Sequence, residues 1–230
     1  MQMIDKNNIR TKVFFDHIPE LVKDLFDSYD FPWEVLPHIG EFINQTFDKL
    51  KSLGYREYSK DVWIGDGTQI SPTAVIVSPC IIGMNCEIRP GAYIRGNVII
   101  GDNCVIGNST EIKNSIIFDN AQLPHYNYVG DSVIGNYSHM GAGAVCSNQK
   151  QDKSEINIRF ADTIPTGLGK LGAILSDHVE VGCGSVLNPG TVIMKNSRVY
   201  PLVSVRGVIP PDSIVKSTSE IVKIESKKLP

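Results

Sequence analysis

At 230 residues, with 42% hydrophobic and 20% charged side chains, the chain has the composition of a soluble globular protein with a substantial core. Its formal charge of −3 lacks the basic excess of nucleic-acid binders, and no apolar run reaches the length that spans a bilayer. Five cysteines (Cys80, Cys86, Cys104, Cys146 and Cys183), odd in number and without a Cys-x-x-Cys pair, follow an N-terminus with no apolar leader; reduced thiols in a cytoplasmic protein are expected.

Residues 1–60 carry apolar side chains at helical spacing in IPELVKDLFDSY and in WEVLPHIGEFINQTFDKLKSLG, the second stretch stopping at Gly54. A small helical cap packed on the first element of the following repeat is expected, because a bare end would expose core and strand edges.

From Ile64 the pattern changes. Isoleucine recurs every sixth residue at 64, 70, 76, 82, 88, 94, 100, 106 and 112. The ruler slips by one residue to Ile117, Leu123 and Val129, and again to Ile134, Met140 and Cys146; after a break it returns at Leu175, Val181, Leu187, Ile193, Val199 and Val205. A period of six matches neither a helix nor plain strand alternation, but it does match short strands joined by tight corners around a triangular prism. Three hexads close one coil, so the reading is mainly β: a parallel β-helix of about seven coils over residues 61–209, roughly 34 Å long at about 4.8 Å per coil. The residue four after each ruler position should be small and inward. It reads Thr68, Ala74, Cys80, Cys86, Ala92, Val98, Cys104 and Thr110, which makes three of the cysteines core filler. Gly-Asp-Gly (65–67), Gly-Met-Asn (83–85), Gly-Asp-Asn (101–103) and Gly-Asn-Tyr (135–137) supply corner residues.

Residues 147–172 interrupt the ruler with a polar, Gly- and Pro-containing loop, expected to serve function or a partner contact. Residues 210–230 read as a mixed tail with a mobile end. Arg95 and Lys113 stand eighteen residues apart, each just after a ruler isoleucine, which stacks two cations on one face of successive coils. An anion such as a sugar phosphate would relieve their repulsion; the bland alternative is two solvated surface cations.

The phrases IRPGAYI (88–94), IGNSTEIKNSII (106–117), PHYNYVGDSVIG (124–135), MGAGA (140–144) and KLGAIL (170–175) resemble the hexapeptide-repeat acyltransferases. The likeness is to the acetyltransferase half of the bifunctional N-acetylglucosamine-1-phosphate uridyltransferase/glucosamine-1-phosphate acetyltransferase, and to archaeal-type sugar-1-phosphate nucleotidylyltransferases. It implies left-handed coils, a homotrimer with sites between flat prism faces, and acetyl-CoA as co-substrate. It also implies an amino-sugar 1-phosphate acceptor such as glucosamine 1-phosphate, in UDP-N-acetylhexosamine biosynthesis. His125 matches the family's general base, and imidazole titrates near the working pH. Tyr128 matches the sugar-binding tyrosine. Gly141 and Ala142 match the coenzyme-binding step whose amide serves the oxyanion. Asn148 matches an asparagine contacting the reacting groups, and Cys183 stands where the family has a coenzyme-contacting serine.

The family's Arg-Pro-Gly phrase points to Arg89 as the phosphate cation, where spacing prefers Arg95. His139 replaces an asparagine and alters acceptor recognition, while the loop lysines Lys150 and Lys153 fall out of the family's register, Lys153 remaining a candidate for the acceptor. His139 and His178 lack the closely spaced histidine pair of hexapeptide carbonic anhydrases, so no metal is expected. The first sixty residues are too short and too helical to supply a uridyltransferase half. That motivates the alternative of a non-catalytic or regulatory β-helix that oligomerises with a separate nucleotidylyltransferase. A third reading takes a nucleotide-linked amino sugar as acceptor.

Overall fold

In the computed structural model, which describes residues 4–223, the six-residue period closes a triangular prism of parallel strands. The first face runs from Val62–Ile64 to Val208–Ile209, the second from Gln69–Ile70 to Ser213–Ser217, and the third from Val75–Ile76 to Ser204–Val205. The sheets hold nine, nine and seven strands, and one strand of each nine-stranded sheet is antiparallel at an end. Seven complete coils result, with two strands of an eighth, which bears out the β-helix expectation.

The ruler residues form the core. From Ile64 to Val205 they are buried, apart from Ile70 and Ile76, which lie half-buried in the first coil. Each fully buried aliphatic side chain contributes about 1.5–3 kcal/mol. Cys80, Cys86 and Cys104 are buried in the small-residue positions, as volume demanded. Burial pushes the Cys146 thiol up to about 12.

Both slips occur at the corner between the third and first faces. Ile117 aligns with Ile100 and Ile134 with Ile117, so one residue is dropped after Lys113 and again after Gly130. Asn114 (φ 46°) and Asp131 (φ 49°) make those shortened corners in left-handed backbone, which Asn and Asp tolerate better than most residues.

The N-terminal region departs from the expected end cap. Thr11–Phe14, Lys23–Phe26, the 3-10 segment Pro32–His38 and the helix Ile39–Ser52 lie along the outside of the first face. The reason is a second apolar row. Trp63, Ile81, Ile99, Ile116, Val133, Ile174 and Val192 each precede a ruler residue, point outward, and require cover. Phe15 and Phe26 pack on Phe118 with ring centroids 4.7 and 5.3 Å away, and Phe47 stacks on Trp63 at 5.6 Å. Farther along, Asp16 N–H donates to Asp177 Oδ2 at 2.7 Å, and Asn136 Nδ2 donates to His17 O at 2.8 Å.

The 147–172 segment is a second departure. It holds an antiparallel hairpin, Ile156–Arg159 with Thr163–Leu168, whose Ile156 and Ile158 are buried in the same outer cluster. Alternating apolar residues let this insertion cover its own coil instead of projecting as an open loop. The expected 210–230 tail also differs, because Ser213–Ser217 continues the second face in parallel with Arg198–Val199 and folds back as Glu220–Lys223. Residues 224–230, where a mobile end is expected, lie outside the described residues. Among the described residues, no helix is long and apolar enough to cross a membrane.

Candidate active site

His125 ends the second-face strand Gln122–His125, two residues beyond inward Leu123, and its ring is exposed at the corner leading to the third face. That corner is stacked on itself. Tyr126 N–H donates to Asn108 O at 2.8 Å, Gly143 N–H to His125 O at 3.1 Å, and Gly184 N–H to Ala142 O at 2.9 Å. Asn108, His125, Ala142 and Cys183 therefore form one column along the prism edge, with Arg89-Pro90 one coil earlier (Asn108 Nδ2 donates to Pro90 O, 2.8 Å). Gly141 is required beside this column, since a Cβ would lie 2.7 Å from Cys183 N.

Asn127, which sequence reasoning missed, locks the column. Buried and two residues past His125, it accepts from the His125 N–H at 3.2 Å and donates Nδ2 to Gly141 O at 2.8 Å and Ala144 O at 3.2 Å. It ties the histidine's backbone to the Gly-Ala-Gly step one coil on.

A second constellation sits at the opposite edge of the third face. Asp131, only 5% exposed, accepts from Asn114 Nδ2 at 2.9 Å and from Asn148 Nδ2 at 2.5 Å, and pairs with Lys113 Nζ at 3.4 Å. The Tyr128 hydroxyl and Asn148 amide lie over Gly130, which has no side chain to exclude them. Burial first, then the Asp131 and Glu111 carboxylates, raise the Tyr128 hydroxyl above the ordinary tyrosine range.

Arg95 and Lys113 do stack in successive coils, following the paired Ile94 and Ile112, but each already faces a carboxylate. Arg95 Nη1 pairs with Glu111 Oε1 at 2.7 Å, while Lys113 is held by Asp131. The repulsion between them is met by the protein's own carboxylates. Asp131 and Asn114 carried no motif signal beyond the one-residue slips that mark their corners.

The remaining candidates are scattered. Arg89 pairs with Glu87 at 2.9 Å on the second face. His139 Nδ1 lies 3.1 Å from Glu180 Oε2, also on the second face. Lys153 sits in the insertion at φ 58°, its N–H donating to Lys150 O at 3.1 Å. Within one chain, Lys113, Tyr128, Asn148 and Asp131 come together, and so do His125, Ala142 and Cys183. The two groups stand at different prism edges. No cluster of three or more potential metal-ligating side chains occurs among the described residues.

Parallel coils bearing an imidazole column on one edge and a cation–amide cluster on the next define a hexapeptide-repeat β-helix protein. The chain belongs to the GMPPB C-terminal domain family, whose model matches residues 76–209. It is 32% identical over 203 residues to the bifunctional protein GlmU of Methanococcus maripaludis, covering 87% of this chain and 49% of that protein. It is 36% identical over 88 residues to a bifunctional sugar-1-phosphate nucleotidylyltransferase/acetyltransferase of Sulfurisphaera tokodaii, covering 38% and 22%. The chain thus spans half or less of the length of these curated relatives. The structure of an Arabidopsis UDP-N-acetylglucosamine acyltransferase shares the fold at TM-score 0.50 and 12% identity, over 72% of this chain and 65% of that one.

Proposed function

We propose that the protein is an acetyl-CoA-dependent N-acetyltransferase acting on an amino-sugar phosphate such as glucosamine 1-phosphate, supplying UDP-N-acetylhexosamine synthesis. The observation that carries this reading is the exposed His125 ring on a corner column shared with Ala142, whose N–H donates to no protein acceptor among the described residues. The acceptor amine attacks the thioester carbonyl, forming C–N and breaking C–S. His125 takes the proton from the attacking nitrogen and returns it to the departing thiolate. The Ala142 N–H stabilises the oxyanion, and Cys183 and Gly141 line the path of the coenzyme arm. Lys113, with Arg95 or Arg89, holds the sugar phosphate. Tyr128 and Asn148 orient the ring, while His139 and Lys153, apart from this cluster within one chain, would meet the acceptor across a subunit boundary.

The base and the cations occupy different edges of one prism; a homotrimer that sets one copy's Lys113 edge against the neighbour's His125 corner would complete each site. The decisive assay mixes purified protein, acetyl-CoA and glucosamine 1-phosphate and reads free thiol. His125→Ala should lower turnover by about 10²–10⁴-fold with the oligomer unchanged. Full activity in that variant ends the mechanism.

A second reading, a non-catalytic module serving a separate nucleotidylyltransferase, is favoured by one feature: Arg95 and Lys113 already hold carboxylates. No thiol release by the wild-type protein with any amino-sugar phosphate or nucleotide-linked amino sugar would select it.

A further inference from the structure

In the last coils, the corner between the third and first faces meets the inserted hairpin, and three cations gather there. Lys150, Arg159 and Arg206 line a cavity of about 290 Å³ together with Asp152, Pro189 and Gly190. An adjoining cavity of about 420 Å³ shares Lys150, Asp152, Pro189 and Arg206, so the two form one groove. Arg159 and Arg206 are exposed, and neither forms an ion pair among the described residues. The carboxylate present, Asp152, is engaged by Ser154 through N–H (3.0 Å) and Oγ (2.8 Å). Three cations against that one carboxylate leave the groove net positive.

These charges come from distant parts of the chain and are held together by backbone packing. Gly190 and Gly207, both at φ +77°, let the hairpin settle on the coil. A Cβ would lie 2.8 Å from Ile156 Cγ2 at the first and 2.8 Å from Arg159 O at the second. The hairpin strand bearing Arg159 is thereby fixed beside the corner bearing Arg206, and neither guanidinium is paired with a carboxylate among the described residues. Guanidinium groups bind phosphate oxygens in bidentate fashion, and two of them sharing a groove with the Lys150 ammonium, which already donates to Glu155 O, suit linked phosphates better than a single carboxylate. The geometry points to this groove as a binding site for a pyrophosphate-bearing ligand. The assignment uses none of the residues given to acyl transfer except through the shared prism edge, and it holds whether or not His125 acts as a base.

Two sources carry that chemistry: coenzyme A and a nucleoside-diphosphate sugar. Calorimetric titration of the intact protein with inorganic pyrophosphate, coenzyme A and UDP-N-acetylglucosamine, in separate arms, tests the site. Wild type and His125→Ala should bind pyrophosphate alike, and Arg159→Gln/Arg206→Gln should weaken binding by about tenfold or more. Whichever of the two larger ligands suffers the same loss is the source. Circular dichroism checks the fold, and Arg206→Gln alone replaces the double variant if that one misfolds. Failure of folded wild type to bind pyrophosphate, equal affinity in the folded variants, or loss in neither larger-ligand arm overturns the assignment.

Discussion

Asp119 shows how one side chain in the coil ladder reports on its surroundings. Its Oδ1 accepts the Asp102 N–H at 2.8 Å, yet burial, reinforced by the Asp102 charge, holds its carboxyl above the usual range. An acid raised in the folded state binds its proton more tightly there than in the unfolded chain. Its contribution is therefore most favourable below the unfolded pKa, about 4, and declines as pH climbs through the higher folded value. Asp119→Asn keeps an acceptor for Asp102 and removes the charge. Urea unfolding from pH 4 to 7 should show the variant level with wild type at the acid end and gaining on it as pH rises. At this scale the inward isoleucines were legible because a six-residue period leaves them no other place. The phrase around His125 marked it as a candidate, and the structure leaves it exposed at a corner. Asp131 was not, because its partners Asn114 and Asn148 each lie 17 residues away and meet it only when the shortened corners close.

The inserted hairpin is the element whose boundaries could be read and whose shape could not. The ruler stops at Cys146 and resumes at Leu175, which fixes its limits. Inside, INIR and TIPTGL alternate apolar and polar residues, but the surrounding lysines, aspartates and glycines hide a two-stranded pattern this short. Its seat on the coil depends on Gly190. Gly190→Ala places a methyl against Ile156 in left-handed backbone and should remove about 1–3 kcal/mol of stability, measured by chemical denaturation. If the variant unfolds at the wild-type midpoint, the hairpin does not pack tightly there. The helical segments follow the same lesson. Periodicity located them, but the surface they cover was written elsewhere, in the apolar pairs that recur once per coil from Trp63-Ile64 to Val192-Ile193.

Across the whole molecule, the first face is sandwiched between two cores, one inside the prism and one beneath the N-terminal helices. A chain beginning at residue 55 should expose Trp63, Ile81, Ile99 and their column, bind the dye ANS strongly, and aggregate at concentrations where the intact protein stays dispersed. A monodisperse truncated protein of unchanged oligomeric state would show that the helices are dispensable for solubility.

The two ends of the prism carry a further consequence. Arg56–Ser59 runs antiparallel on the opening strand of the first face, and Glu220–Lys223 runs antiparallel on the closing strand of the second. An incoming copy that tried to extend the spiral end to end would find one sheet margin at either tip already paired in the opposite direction. Head-to-tail growth into fibres is thereby disfavoured at those two margins.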